Sequence, residues 1–284
     1  MTAFPTVSPR RALFLLAGLW CAAAAGLAPR EAFAQGRMEA VYEASLSGIP
    51  VGRGTWLIEI GDDAFSATAQ GATAGLLKAF AGGSGSGGSQ GRIVNGALVP
   101  TNYTASLSSK KSETIRMVLA NGNIRESIIE PEPPVDPDRI PVTAEHKKGV
   151  LDPMTSTMLR VPGNGDLLSP DSCRSGSSVF DGRLRYDLKL DYKRMETVKA
   201  ERGYHGPALV CALYFTPIAG YIPDRPIIKY LSTERRMEIA FVPIAGTRIL
   251  VPFRTTIPTP FGPAVLEATS FNTVAMPPKV PKTQ

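Results

Sequence analysis

Histidine and cysteine are scarce in this 284-residue chain, and each shortage closes off a class of chemistry. The two histidines, His146 and His205, occur in no His-x-x-x-His or His-Glu-x-x-His spacing, so an imidazole-built metal site has no basis in the sequence. His146 sits in the turn-like run Glu145-His146-Lys147-Lys148, and His205 in a glycine- and proline-bounded loop at 203–207. The three cysteines form no Cys-x-x-Cys pair, which removes the usual motif of a thiol redox centre. Blocks of like charge are missing as well. The densest basic groups, Lys110-Lys111, Lys147-Lys148 and Arg235-Arg236, are short and stand beside acidic or polar residues, so the formal charge of +6 reads as a solvated surface without a nucleic-acid partner.

One long apolar run is present, and it stands at the N-terminus. Arg10 and Arg11 precede an apolar stretch at 12–27, and Ala32-Phe33-Ala34 supplies the small-x-small pattern that signal peptidase needs before Gln35. The stretch is about 16 residues, just short of the roughly 17 to 25 that span a bilayer as an uncleaved anchor. Residues 1–34 are therefore expected to be a signal peptide cut after Ala34, leaving a periplasmic protein that is not integral to the membrane. The paired arginines fit twin-arginine export and general secretion alike. Cys21 follows Leu19-Trp20 rather than small residues, so it leaves with the signal and is not a lipidation site.

Roughly 250 residues remain, ample for a single β-rich domain. In an oxidising compartment the two remaining cysteines, Cys173 and Cys211, read as one disulfide. Closing about 37 intervening residues gives roughly 4 kcal/mol in the chain-entropy model. Period-two alternation, clearest at 183–193, marks strands at 38–46, 55–60, 102–107, 114–120, 124–129, 208–215, 227–232, 237–242, 249–256 and 264–271 as well. Asn121-Gly122 is a type I′ hairpin signal between the segments at 114–120 and 124–129. The fold class expected is mainly β, an antiparallel meander curled into a β-spiral, half-barrel or barrel, with one or two short helices.

Two segments break the alternation. Residues 72–81 carry helix formers, with Leu76, Leu77 and Phe80 on one face, and run into Gly82-Gly83-Ser84-Gly85-Ser86-Gly87-Gly88-Ser89-Gln90-Gly91, a composition that reads as a flexible loop at 82–91. That helix plugs the core or covers a cavity as a lid. The second break is Asp152-Pro153-Met154-Thr155-Ser156-Thr157-Met158, where Asp152 caps a helix, Pro153 occupies its first turn, and Met154 and Met158 fall one turn apart. Methionines adapt to irregular apolar surfaces, so the pair fills a barrel end or lines a ligand cavity. Asp181, Gly182 and Arg183 make either a turn before an exposed strand face or a polar site. Gly83-Ser84-Gly85-Ser86-Gly87 matches the letters of a serine-hydrolase elbow, but low-complexity surroundings make the match a coincidence.

Several ordered motifs together carry a resemblance: 149–156 (Gly-Val-Leu-Asp-Pro-Met-Thr-Ser), Cys173, 179–186 (Val-Phe-Asp-Gly-Arg-Leu-Arg-Tyr), Gly203-Tyr204, 206–211 (Gly-Pro-Ala-Leu-Val-Cys) and Pro217-Ile218-Ala219-Gly220. They are similar to the exported bacterial family catalogued as domain of unknown function 3108, over nearly all of the chain after the signal. The resemblance implies a periplasmic β-rich protein and brings no catalytic residues with it. By analogy its strand content is similar to the spiral or half-barrel folds of envelope lipoprotein carriers and of an envelope-integrity family. The function expected is a non-catalytic, envelope-associated role, binding a lipid, acyl chain or other apolar ligand, or another envelope protein, with no metal and no cofactor. The alternative is a hydrolase of cell-wall or lipid substrates that uses carboxylates such as Asp152 or Asp181.

Overall fold

The computed structural model describes Met1 and residues 35–75 and 82–277. The expected signal segment with its junction at Ala34, and Leu76, Leu77 and Phe80, lie outside the described residues. The chain forms strands β1 (Gln35–Leu46), β2 (Ile49–Ile60), β3 (Ala64–Thr73), β4 (Ser84–Val94), β5 (Ala97–Ser108), β6 (Ser112–Ala120) and β7 (Asn123–Glu130). There follow β8 (Leu159–Arg160), β9 (Ser175–Phe180), β10 (Arg185–Lys199), β11 (Arg202–Gly203), β12 (His205–Ala219), β13 (Glu238–Pro243), β14 (Ile249–Thr259) and β15 (Gly262–Met276). Two short helices, α1 (Pro153–Ser156) and α2 (Pro226–Thr233), and two 3-10 turns at Glu145–Lys147 and Pro170–Cys173 complete the described elements.

All fifteen strands belong to one sheet in the order β7-β6-β5-β4-β3-β2-β1-β15-β14-β13-β12-β10-β9, with β8 on β14 and β11 on β15. Two antiparallel meanders thus meet where β1 pairs with β15, from Gln35↔Met276 to Leu46↔Ala264. The sheet is curled and unclosed, with β7 and β9 at its ends. In the first meander alternation decides the faces: Met38, Ala40 and Tyr42 of β1, Ile58 and Ile60 of β2, and Phe65 and Ala67 of β3 are buried together, while Glu39, Glu43 and Arg53 point to water. The second meander is apolar on both faces. Ala208 and Val210 of β12 enter the same core as β1, whereas Leu209 and Cys211 turn outward beneath Val161, Leu167, Leu168 and Cys173. The 159–174 segment is therefore a strap over the outer face, held by the Cys173–Cys211 disulfide (Cα–Cα 5.6 Å). Burial on both faces is why Ala208-Leu209-Val210-Cys211 reads as a continuous apolar run.

The expected mainly-β meander with short helices is the fold found, and three local expectations are corrected. Residues 82–91 are not a flexible loop: they lie almost wholly in β4, laddered between β3 (Ala72↔Ser84 to Ala64↔Arg92) and β5. Their glycines answer to close packing, since a Cβ on Gly91 would stand 2.7 Å from both Phe65 Cε1 and Pro100 Cα. Residues 72–73 end β3 rather than open a helix. Residues 227–232 are helix α2, not a strand: Pro226, lacking a backbone donor, suits a first helical turn, and Tyr230 Oη donates to Pro258 O at 2.6 Å to dock the helix. The Asn121-Gly122 turn takes the expected form, with φ of +50° and +73°.

Candidate functional site

The two ends of the sheet are bridged by the segment that runs into α1. Val150 N donates to Gly122 O (2.7 Å) at the tip of the β6–β7 hairpin, Leu151 N donates to Ser178 O (2.8 Å), and Phe180 N donates to Leu151 O (3.0 Å). Leu151 thereby makes a parallel bridge to Val179 on the edge of β9. Tyr103, Met117, Leu119, Val150 and Phe180 pack as a separate small core beneath this seam.

Asp152 anchors the seam from the inside. It is fully buried, and as the expected cap of α1 its Oδ1 accepts from Met154 N (3.0 Å) and Thr155 N (2.9 Å). Its Oδ2 accepts from Ser89 Oγ (2.9 Å) and Thr155 Oγ1 (2.6 Å), and these two hydroxyls lie 2.8 Å apart. Ser89 comes from the glycine-serine strand β4, so a segment of linker-like composition supplies a buried hydrogen bond to the helix cap. Burial raises the Asp152 carboxyl above the ordinary carboxylate value, and the four hydrogen bonds oppose that shift.

Asp181, Gly182 and Arg183 form a turn. Asp181 Oδ1 accepts from Arg183 N (2.8 Å) and Leu184 N (2.6 Å), Gly182 has φ of +101°, and the Arg183 guanidinium pairs with Glu113 of β6. This turn ties β9–β10 to the opposite meander and differs from the expected exposed strand face, because Arg183 and Arg185 are both half-buried or deeper. Burial also raises the Asp181 carboxyl. Tyr103 is pushed up to about 12, first by burial and then by the charges of Asp152 and Asp181, so both carboxylates act on the same region of the seam. Both oxygens of Asp152 and the Oδ1 of Asp181 are nevertheless spent on cap and turn hydrogen bonds.

Beside Asp152 the seam opens into a cleft of about 270 Å³. Its floor is Leu188 and Leu190 of β10, Leu213 of β12, and Ile239 and Phe241 of β13. Met158, Leu159 of the strap and Leu98 of β5 stand at its sides, and Ser175, Ser177 and Arg160 reach its rim. Met158 thus lines a cavity, whereas Met154 packs between the main core and the seam core. Period-two alternation identified the Leu188–Leu190 face as buried. Nothing in the sequence distinguishes a buried face that is filled from one that leaves a cleft.

Two larger depressions, about 660 and 690 Å³, lie on the solvent side of β1–β6 and share Thr55, Gln70, Ser86 and Ser106. They are open surface troughs lined mainly by exposed and half-buried residues. His146 Nδ1 accepts from Thr143 N (3.1 Å) in an exposed turn, and His205 begins β12 in a strand rather than a loop. Among the described residues, no three His, Cys, Asp or Glu side chains converge as a metal ion would require. No described helix is long and apolar enough to cross a membrane.

An unclosed, strapped β-sheet with a small apolar cleft at its seam places the chain among barrel-like β proteins. The chain belongs to the family described as protein of unknown function (DUF3108), whose model matches residues 41–269. No curated protein matches it. Among solved structures it is similar to a beta-barrel-like protein of domain of unknown function DUF1849 from Brucella abortus, at 7% identity and a TM-score of 0.41, over 86% of this chain and 98% of that one.

Proposed function

We propose that the protein is exported on residues 1–34 and serves in the periplasm as a non-catalytic binding protein whose seam cleft receives an apolar group of a lipid, an acyl chain or another envelope protein. The observation that carries this reading is the cleft itself. Leu190, Ile239 and Phe241 are buried side chains, yet they border about 270 Å³ of space that the described residues leave unfilled. Ligand pockets for drug-sized molecules run from roughly 300 to 1,000 Å³ and are mostly apolar with a few polar groups at the mouth, so this one suits a single short apolar group. The disulfide fits an oxidising compartment. A non-catalytic role is supported by the use of Asp152 and Asp181 as cap and turn acceptors.

Protein purified from a periplasm and examined by native and denaturing mass spectrometry tests the reading. A reproducible adduct lost on denaturation, with fluorescence enhancement of the apolar dye ANS that disappears when the cleft is filled by Ser177→Trp, is the expected result. A bare native mass together with no dye uptake would remove the cleft from the account. The denatured mass reports independently whether the chain starts at Gln35.

A further inference from the structure

Strand β9 ends the sheet, and its free edge borders the cleft. β9 lies in register with β10 from Ser175↔Leu190 to Phe180↔Arg185, and because Ser178 O and Phe180 N face Leu151, alternation turns the backbone groups of residues 176, 178 and 180 away from β10. Leu151 satisfies part of that edge by accepting from Phe180 N and donating to Ser178 O. The bridging segment then leaves, because Val150 N turns to Gly122 O on the opposite meander. Gly176 N–H, Gly176 C=O and Ser178 N–H are left without a protein partner among the described residues, and Gly176 is exposed. The side chains of Ser175 and Ser177 from the same three-residue stretch reach the cleft rim.

From this juxtaposition of an unpaired strand edge with an apolar cleft, we infer that the site takes an extended polypeptide segment of a partner protein, added as a strand along β9. Its backbone pairs with Gly176 and Ser178, and an apolar side chain at every second position drops past Ser177 onto Leu188 and Leu190. The inference rests on the reading of the cleft as an apolar binding site and narrows its occupant. An acyl chain has no donors or acceptors to offer the edge, whereas an extended backbone supplies both, and the pocket then selects alternate side chains. Leu151 already adds to this edge in the same manner, so the strand accepts a neighbour on that side. The other end of the sheet is guarded differently. Arg125, Glu126 and Glu130 stand exposed on β7, the charged pattern that discourages edge pairing, whereas the open part of β9 carries only serine and glycine.

The test is selection of a phage-displayed random heptapeptide library on the purified exported protein, with ANS uptake read in parallel. Recovered peptides are expected to carry apolar residues at alternate positions. Their affinity should fall about tenfold or more in Gly176→Pro, which removes an edge donor that the fold does not use, while ANS uptake stays unchanged. Ser177→Trp should abolish both. Amide exchange at Gly176 and Ser178 in the wild-type protein reports the same contact without a variant, and both amides should gain protection when a recovered peptide binds. ANS uptake without any recovered peptide, or with peptides that bind Gly176→Pro equally and protect neither amide, overturns strand addition and leaves the apolar cleft standing. Absence of ANS uptake overturns the cleft reading itself.

Discussion

Replacing Asp152 by alanine measures how much the seam depends on one buried carboxylate. The cap bonds to Met154 N and Thr155 N disappear, a loss of about 1 kcal/mol for a helix N-cap. The hydroxyls of Ser89 and Thr155 lose their shared acceptor, but at 2.8 Å they still bond each other, so one buried donor is orphaned, at about 1–3 kcal/mol. The expected destabilisation is about 2–4 kcal/mol, seen in urea denaturation as a lower midpoint with an unchanged slope. Asp152→Asn keeps an acceptor for the two backbone donors and should lose only about 1 kcal/mol. The pair of variants also reports the proton. The carboxyl has a higher pKa folded than its unfolded value of 3.8, so the folded state holds more protons just above that pH. Stability from this group is therefore present at acid pH and lost as pH rises through the folded pKa. The wild type should lose its advantage over Asp152→Asn as pH increases from about 4, and then run parallel to it. An Asp152→Ala loss below about 1 kcal/mol, or a wild-type advantage that grows toward neutral pH, would refute the reasoning.

Two further outcomes follow from the strap and the glycine-serine strand. Reduction, or the double replacement of Cys173 and Cys211 by serine, should cost up to about 4 kcal/mol and lower the melting temperature by several degrees, with the 159–174 strap becoming the first site of proteolysis. Because residues 84–92 are laddered on both sides, a broad-specificity protease should leave them intact in the folded protein, and Gly91→Val should destabilise it by more than about 2 kcal/mol through overpacking against Phe65 and Pro100. Rapid cleavage within 84–92 would return that segment to a flexible linker.

The sequence carried the strand alternation because a sheet with one wet face imposes period two on its residues, as in Met38, Ala40 and Tyr42. It carried the α1 cap because Asp-Pro is a local signal, with carboxylate and helix start only two or three residues apart. It also carried the Asn121-Gly122 hairpin, where positive φ at two adjacent residues is a property of those residues themselves. Strands β3 and β4 were not legible. Their many alanines and glycines have weak intrinsic strand preference, and pairing with β2 and β5 sets their conformation. Helix α2 was misread as a strand, since a short apolar run has no period of its own to report.

By itself, then, the sequence determined a β meander with a disulfide, a capped helix turn and a family membership, all properties written in local pattern or in motifs. Only the tertiary structure decided that β1 and β15 join two meanders, that the sheet ends at β7 and β9 without closing, and that Ser89 of a glycine-serine strand holds Asp152. The cleft and the free edge of β9 belong to the same category. They exist where packing stops, and a place left unfilled depends on residues 98, 158, 188, 213 and 241 meeting from five separate parts of the chain.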